Sequence, residues 1–191
     1  MTETMAVRDV AGLIAALERG ERVKFLMFWG HQPPRGGGVG RGCLSQWWPA
    51  EFTVDGVRYR TAEHFMMAAK ARLFGDAEAE AAIIAAGHPK QAKDLGRQVR
   101  GFDEEKWRDA RFDLVVQGNL AKFGQNPELR DFLLGTGDRV LVEASPVDRV
   151  WGIGLAADDE RAERPECWRG LNLLGFALME VRQALRDAAA T

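Results

Sequence analysis

The chain has little of what makes several function classes easy to assign. Two cysteines, Cys43 and Cys167, stand far apart in 191 residues, with no CxxC pair and no Cys/His spacing suited to zinc. That argues against a disulfide framework and a finger-type metal site, and two reduced thiols are the expectation. With no Asp-rich or His-rich cluster either, neither a metal nor a cofactor is called for. Positive charge is not in excess: 26 Lys and Arg stand against 28 Asp and Glu, for a net charge of -2. A broad electrostatic grip on a phosphate backbone is therefore not expected, whereas a local pocket for one phosphate or pyrophosphate stays open.

No stretch approaches the roughly 18 apolar residues that span a bilayer. Residues 1–21 contain acids and no continuous apolar core, so they do not read as a secretory signal. A cytoplasmic protein without a membrane partner is the expectation, and its oligomeric state cannot be read from the sequence. Internal repeats, low-complexity tracts and a convincing linker are also missing. The expected organisation is one domain over 1–191, with residues 1–22 as an N-terminal helical extension.

What is present is a series of well-punctuated elements. Val10, Leu13, Ile14 and Leu17 recur at helical spacing, and residues 23–29 (VKFLMFW) form a compact run that predicts a buried strand. Residues 31–42 (HQPPRGGGVGRG) must be a loop, either a surface connection or a flap over a site. Asp55-Gly56 between Thr53-Val54 and 57–59 predicts a hairpin. Thr61 predicts an N-cap, and Gly75 the end of the helix it starts. Further helices are expected over 76–86, 90–95, 103–118 or beyond, 127–134 and 171–187, with a short strand at 139–143. The sum is an α+β fold, a mainly helical domain with a small β-sheet.

Three features bear on chemistry. In the helix starting at Thr61, Glu63 falls in the first turn, where the positive end of the macrodipole favours a carboxylate by about 0.3–1 kcal/mol. Glu63, Met67 and Lys70 share one face at i, i+4, i+7, amid Phe65, Met66, Ala68 and Ala69. Charges in such a setting are costly unless paired or used, so the choice is between a satisfied ion pair and an active site. His64 points elsewhere and reads as a core histidine. Second, six tryptophans (29, 47, 48, 107, 151 and 168) are mostly expected in the core. Trp47 and Trp48, beside Ser45 and Gln46, and Trp151 lie near loops, where indoles stack on planar ligands. Third, Asp148 and Trp151 occupy a loop after the strand, and Gly152-x-Gly154 offers backbone N–H groups to a phosphate, although Ser-Pro and Asp are also ordinary turn formers. Glu63 and Asp148 would suit glycosidic cleavage, which uses paired carboxylates; spacing does not say whether they meet.

Taken in order, several segments resemble the NADAR family, the NAD- and ADP-ribose-associated group. They are TAEHFMMAAKA at 61–71, AKDLGR at 92–97, Trp107 after Gly-Phe-Asp, GNLAKFGQNPELRDFLLGTGD at 118–138, LVEASPVDRVWGIG at 141–154 and GLNLLGFALMEVR at 170–182. The resemblance covers residue 23 to the C-terminus. It implies hydrolysis of an N-glycosidic bond at a ribose carbon. The bond lies either in ADP-ribosylated guanine of DNA or in phosphoribosylaminopyrimidine intermediates of riboflavin biosynthesis; a module that binds ADP-ribose or a nucleotide without hydrolysis is the alternative class. It implies Glu63 as the principal catalytic carboxylate, with Trp107 and Asp148 completing the group. Lys70 lies in the pocket on phosphate or ribose, or as an amine that traps an opened ribose. Ser45, Gln46, Arg97, Asn119, Lys122, Trp151 and Gly152 are implied as substrate contacts. Compact members have a short link where this chain carries the Gly/Pro-rich insertion 31–42, a flap with room for a nucleotide or a DNA end.

Overall fold

The computed structural model describes residues 7–190; the first six positions of the expected N-terminal extension lie outside the described residues. Among those described are seven α-helices and four short strands, a mainly helical α+β fold. The strands form two separate two-stranded sheets. The chain resolves into two compact units, one made of the residues up to Trp29 together with those from Leu134 onward, the other of Gly30–Leu133.

The first unit holds α1 (Val10–Glu18), β1 (Phe25–Phe28), β4 (Val140–Glu143) and α7 (Leu173–Ala189). Asp9 caps α1, its carboxylate accepting from the Gly12 N–H at 2.7 Å. β1 and β4 pair in parallel, Phe25 opposite Val140 through Phe28 opposite Glu143. A parallel pair cannot close through a tight turn, and here the whole second unit is spliced between the two strands. β1 is not buried throughout, as its apolar run predicts. Leu26 and Phe28 are buried, Phe25 and Met27 half-exposed, and Trp29 is 61% exposed. The reason is the pleat: with one pairing partner and one covered face, period-two alternation leaves every second side chain outside the core. β4 is buried at Val140, Leu141 and Val142.

Asn172 ties α7 to β4. In left-handed backbone (φ 51°) and fully buried, its amide accepts from the Glu143 N–H and donates to the Leu141 carbonyl, both at 2.9 Å. It thus occupies hydrogen-bonding positions that a further strand would take. Gly175 lets the helix approach, since a Cβ there would lie 2.0 Å from the Leu141 oxygen.

The second unit is organised on α2 (Ala62–Leu73), packed by α3 (Ala77–Ala85), α4 (Pro89–Gly96) and α5 (Glu104–Gln125). β2 (Phe52–Val54) and β3 (Val57–Tyr59) form the expected hairpin. Asp55 and Gly56 both have positive φ, 50° and 79°, the requirement of a type I′ turn. Phe52, Tyr59 and Phe65 cluster behind it. Thr61 caps α2 as predicted, accepting from the His64 N–H, and Gly75 (φ 72°) follows its end. α5 runs 22 residues, past the expected minimum. Its buried stripe is Trp107, Arg111, Val115, Gly118, Asn119, Lys122 and Phe123; Phe112 and Val116 are only half-buried. Three of those seven inward positions are polar or charged. α6 (Pro127–Gly135) carries the chain back toward the first unit. No helix among the described residues is long and apolar enough to cross a membrane.

Candidate active site

α2 buries nearly its whole circumference: Ala62 through Ala69 are all inaccessible, Glu63 at 3% exposure included. His64 is a satisfied core histidine. Its Nε2 lies 3.0 Å from the Ala86 carbonyl and its Nδ1 2.8 Å from the Thr61 hydroxyl. A carbonyl only accepts, so Nε2 carries the proton and Nδ1 accepts from Thr61. Burial depresses its pKa, consistent with a neutral ring.

Glu63 sits in the first turn, and its backbone N–H donates to the Gln46 carbonyl at 3.0 Å. Residues 43–46 therefore lie against the start of α2. This segment begins in a 3₁₀ turn (Arg41–Leu44) and is itself held by α5. Lys122 Nζ donates to the carbonyls of Cys43 and Ser45 at 2.7 and 2.8 Å, and Asn119 Nδ2 donates to Gln46 Oε1 at 2.8 Å. Lys122 is fully buried. Burial pushes its ammonium down to about 7, and the neighbouring Cys43 thiol up to about 11. Ser45, half-buried, uses its hydroxyl to accept from the Trp47 N–H.

At the other end of α2, Lys70 is half-buried. Its ammonium donates to the Gly96 carbonyl at 2.8 Å. It lies 4.3 Å from the centroid of Phe102 and 5.6 Å from that of Trp107, within cation–π range. Burial lowers its pKa; Glu104 opposes this and Arg97 adds to it. Met67, on the same face, fills the space a Cβ at Gly96 would need, so Met67 and Lys70 of the predicted face both meet the end of α4. Lys70, Arg97 and Trp107 are thus brought together. Arg97 is exposed and pairs with Asp94 at 3.2 Å. Phe102, 44% exposed, is a participant that pattern reading passed over; its position directly before the Asp103 N-cap was the available signal.

Trp107 is buried, but the expectation of a mostly buried indole set does not hold. Trp29 is exposed and Trp47, Trp48, Trp151 and Trp168 are half-buried. An indole carries both a large apolar face and an N–H, so partial burial satisfies both; Trp168, for example, donates to the Ala162 carbonyl. Trp47 is flanked by His31 (5.7 Å between centroids), His88 (6.0 Å) and the Lys93 ammonium (5.9 Å). The predicted loop 31–42 is irregular apart from a turn over residues 34–37 and the 3₁₀ turn at its end. Its base is closed, because a Cβ at Gly42 would lie 2.5 Å from the Gln32 oxygen, while Gly36, Gly37 and Gly38 have open space around them.

Asp148, Trp151 and Gly152 belong to the first unit. Asp148 Oδ1 accepts from the N–H groups of Val150 and Trp151 at 2.8 and 2.7 Å. Hydrogen bonds from the N–H groups of 169 and 171–174 to carbonyls of this loop anchor it. Gly152 is packed, since a Cβ would meet the Glu143 carbonyl oxygen at 2.8 Å. Among the described residues, no group of three or more His, Cys, Asp or Glu could hold a metal ion.

The family model described as the NADAR domain matches residues 27–186. The chain is 40% identical over 168 residues to N-glycosidase R617 of Acanthamoeba polyphaga mimivirus, covering 85% of this chain and 97% of that protein. It is 32% identical over 148 residues to riboflavin biosynthesis protein VVA0006 of Vibrio vulnificus, covering 78% of this chain and 36% of that one. The solution structure of Escherichia coli YbiA superposes with a TM-score of 0.68 at 25% identity, covering 88% of this chain and 90% of that one.

Proposed function

The chain belongs to the NADAR family, and on that premise we propose that it is an N-glycosidase, a hydrolase that breaks the bond between a ribose C1′ and a nitrogen of the attached group. The observation that carries this reading is the half-buried Lys70 ammonium, held by the Gly96 carbonyl between the rings of Phe102 and Trp107, on the helix whose first turn buries Glu63. Glu63 supplies the carboxylate that an oxocarbenium-like transition state requires and that activates water or moves the proton. Lys70 attacks C1′ as the amine. The C1′–N bond breaks and the departing nitrogen takes a proton; the ring opens to an imine on Nζ, and water then releases the sugar and restores the amine. Trp107 walls this chemistry. Asp148, in the first unit, is the second candidate carboxylate.

For the group attached to ribose, the reading is ADP-ribose on guanine in DNA. Support comes from the 31–42 insertion and from Trp47, whose indole gathers His31, His88 and Lys93, groups suited to a nucleotide's ring and phosphates. A second reading, a phosphoribosylaminopyrimidine substrate, is supported by the similarity to a protein named for riboflavin biosynthesis. The test is to incubate the protein, and Glu63→Gln beside it, with an oligonucleotide carrying ADP-ribosylated guanine and separately with phosphoribosylaminopyrimidine. Products are then separated by chromatography. Release of ADP-ribose by the parent and not by Glu63→Gln is expected. Release from the pyrimidine alone moves the substrate to the second reading, and binding of ADP-ribose with no release from either substrate would overturn the enzymatic assignment.

A further inference from the structure

Resting on the assignment of Glu63, we infer that Asn119 and Lys122 are positioning residues. They act through residues 43–46, which they strap to α5, and so set the place of Glu63 and the polarity of the Gln46 amide. Asn119 and Lys122 stand at i and i+3 on the inner stripe of α5, and both are fully buried. Their donors are committed to protein acceptors, while Asn119 Oδ1 has no hydrogen-bond partner among the described residues. Lys122 Nζ gives two hydrogen bonds to consecutive-turn carbonyls, Cys43 at 2.7 Å and Ser45 at 2.8 Å. Burying an ammonium is unfavourable, and an apolar side chain would fill the stripe at lower cost. What Lys122 does that no apolar side chain can is hold two backbone carbonyls in one place.

Asn119 works on the next residue. Its Nδ2 donates both to the Val115 carbonyl at 2.9 Å and to Gln46 Oε1 at 2.8 Å. The Val115 carbonyl can only accept, so the orientation of the Asn119 amide is determined. The Gln46 oxygen is thereby committed to Asn119, and the Gln46 NH₂ is the face left for a substrate acceptor. The Gln46 carbonyl in turn accepts from the Glu63 N–H at 3.0 Å. Two side chains of α5 therefore reach the first turn of α2 through residues 43–46, which leave a 3₁₀ turn and belong to neither sheet.

The variants Lys122→Met and Asn119→Leu test this, with Glu63→Gln beside them. Folding is checked by circular dichroism and melting. Two readouts follow: kcat and KM on the substrate that the parent turns over, and hydrogen exchange at the Glu63 amide. Folded Lys122→Met is expected to lose about 100-fold in kcat, as a small misplacement of a reacting group does, with KM little changed and faster exchange at Glu63. Asn119→Leu is expected to raise KM as well, because Gln46 loses its fixed donor face; it carries both readouts if Lys122→Met does not fold. Parent-like kcat and parent-like protection at Glu63 in the folded variants overturn the inference. Full turnover in Glu63→Gln instead overturns the assignment of Glu63, and the strap is then decided by the exchange readout alone.

Discussion

Lys70 donates to the carbonyl of Gly96 at 2.8 Å, so the last turn of α2 is pinned to the last residue of α4 by one ammonium. The bond also aims that ammonium across two aromatic rings. Burial, with Arg97 nearby, lowers the pKa of this amine against the opposing pull of Glu104, which raises the fraction available as a nucleophile. Borohydride added during turnover is expected to fix a ribose-derived adduct on Lys70, located by peptide mass mapping. Lys70→Met should show no adduct and no turnover. Full turnover by that variant would remove Lys70 from the chemistry and leave it as a packing residue.

Phe102 supplies one of those rings, 4.3 Å from Nζ, and packs edge-on against Phe74 at 5.4 Å. Because it is 44% exposed, removing the ring should disturb the fold little. Phe102→Leu is expected to keep the melting temperature within a few degrees while lowering kcat/KM by about 5-fold, the order of one cation–π contact worth about 1 kcal/mol. An unchanged kcat/KM would show that the ring does not shape the amine's setting.

Lys122 makes stability depend on pH. Its amine titrates near 10.5 when exposed and at about 7 when buried. Between those values the unfolded chain binds a proton that the folded chain does not, so stability rises with pH. Cys43 works the other way, but only higher. Its thiol moves from 9.0 to about 11 on burial, so its contribution is complete below pH 9 and is lost as pH climbs through the folded value. His64, lowered from 6.5, costs stability only on the acid side of that value. From about pH 7 to 9, urea denaturation should show the parent gaining stability, and Lys122→Met staying nearly flat. A parent whose stability falls across this window contradicts the reading.

Asp148 separates geometry from charge. One of its oxygens holds two N–H groups of its own loop, a bonding that Asn reproduces through its carbonyl and Ala does not. Asp148→Asn should keep the melting temperature and lose turnover, whereas Asp148→Ala should lose turnover and about 1 kcal/mol of stability. Parent-like rates in Asp148→Asn would make the residue a turn former only.

Gly118 marks where α5 meets α2. A Cβ there would lie 2.4 Å from the Phe65 ring, and a ring packed against both Phe52 and Tyr59 has little room to retreat. Although Ala is the better helix former by about 1 kcal/mol, overpacking costs about 1–3 kcal/mol, so Gly118→Ala is expected to lower the unfolding midpoint in urea. A raised midpoint would mean that the contact relaxes freely.

The sequence by itself determined the local punctuation. Thr61 as a cap, the Asp55-Gly56 hairpin and Gly75 at a helix end are legible because each is decided by hydrogen bonds or backbone angles within three or four residues. The face carrying Glu63, Met67 and Lys70 is legible for the same reason, and the ordered motifs identified the family. Only the tertiary structure decided the rest. That β1 pairs with β4 and is covered on one face depends on a partner strand beyond the entire second unit. That Lys122 is spent on two carbonyls, rather than held out to a ligand, depends on residues 77 and 79 positions away. Nothing in the spacing of Lys122 distinguishes a buried clamp from an exposed contact, because helical periodicity says which residues share a face but not what that face meets.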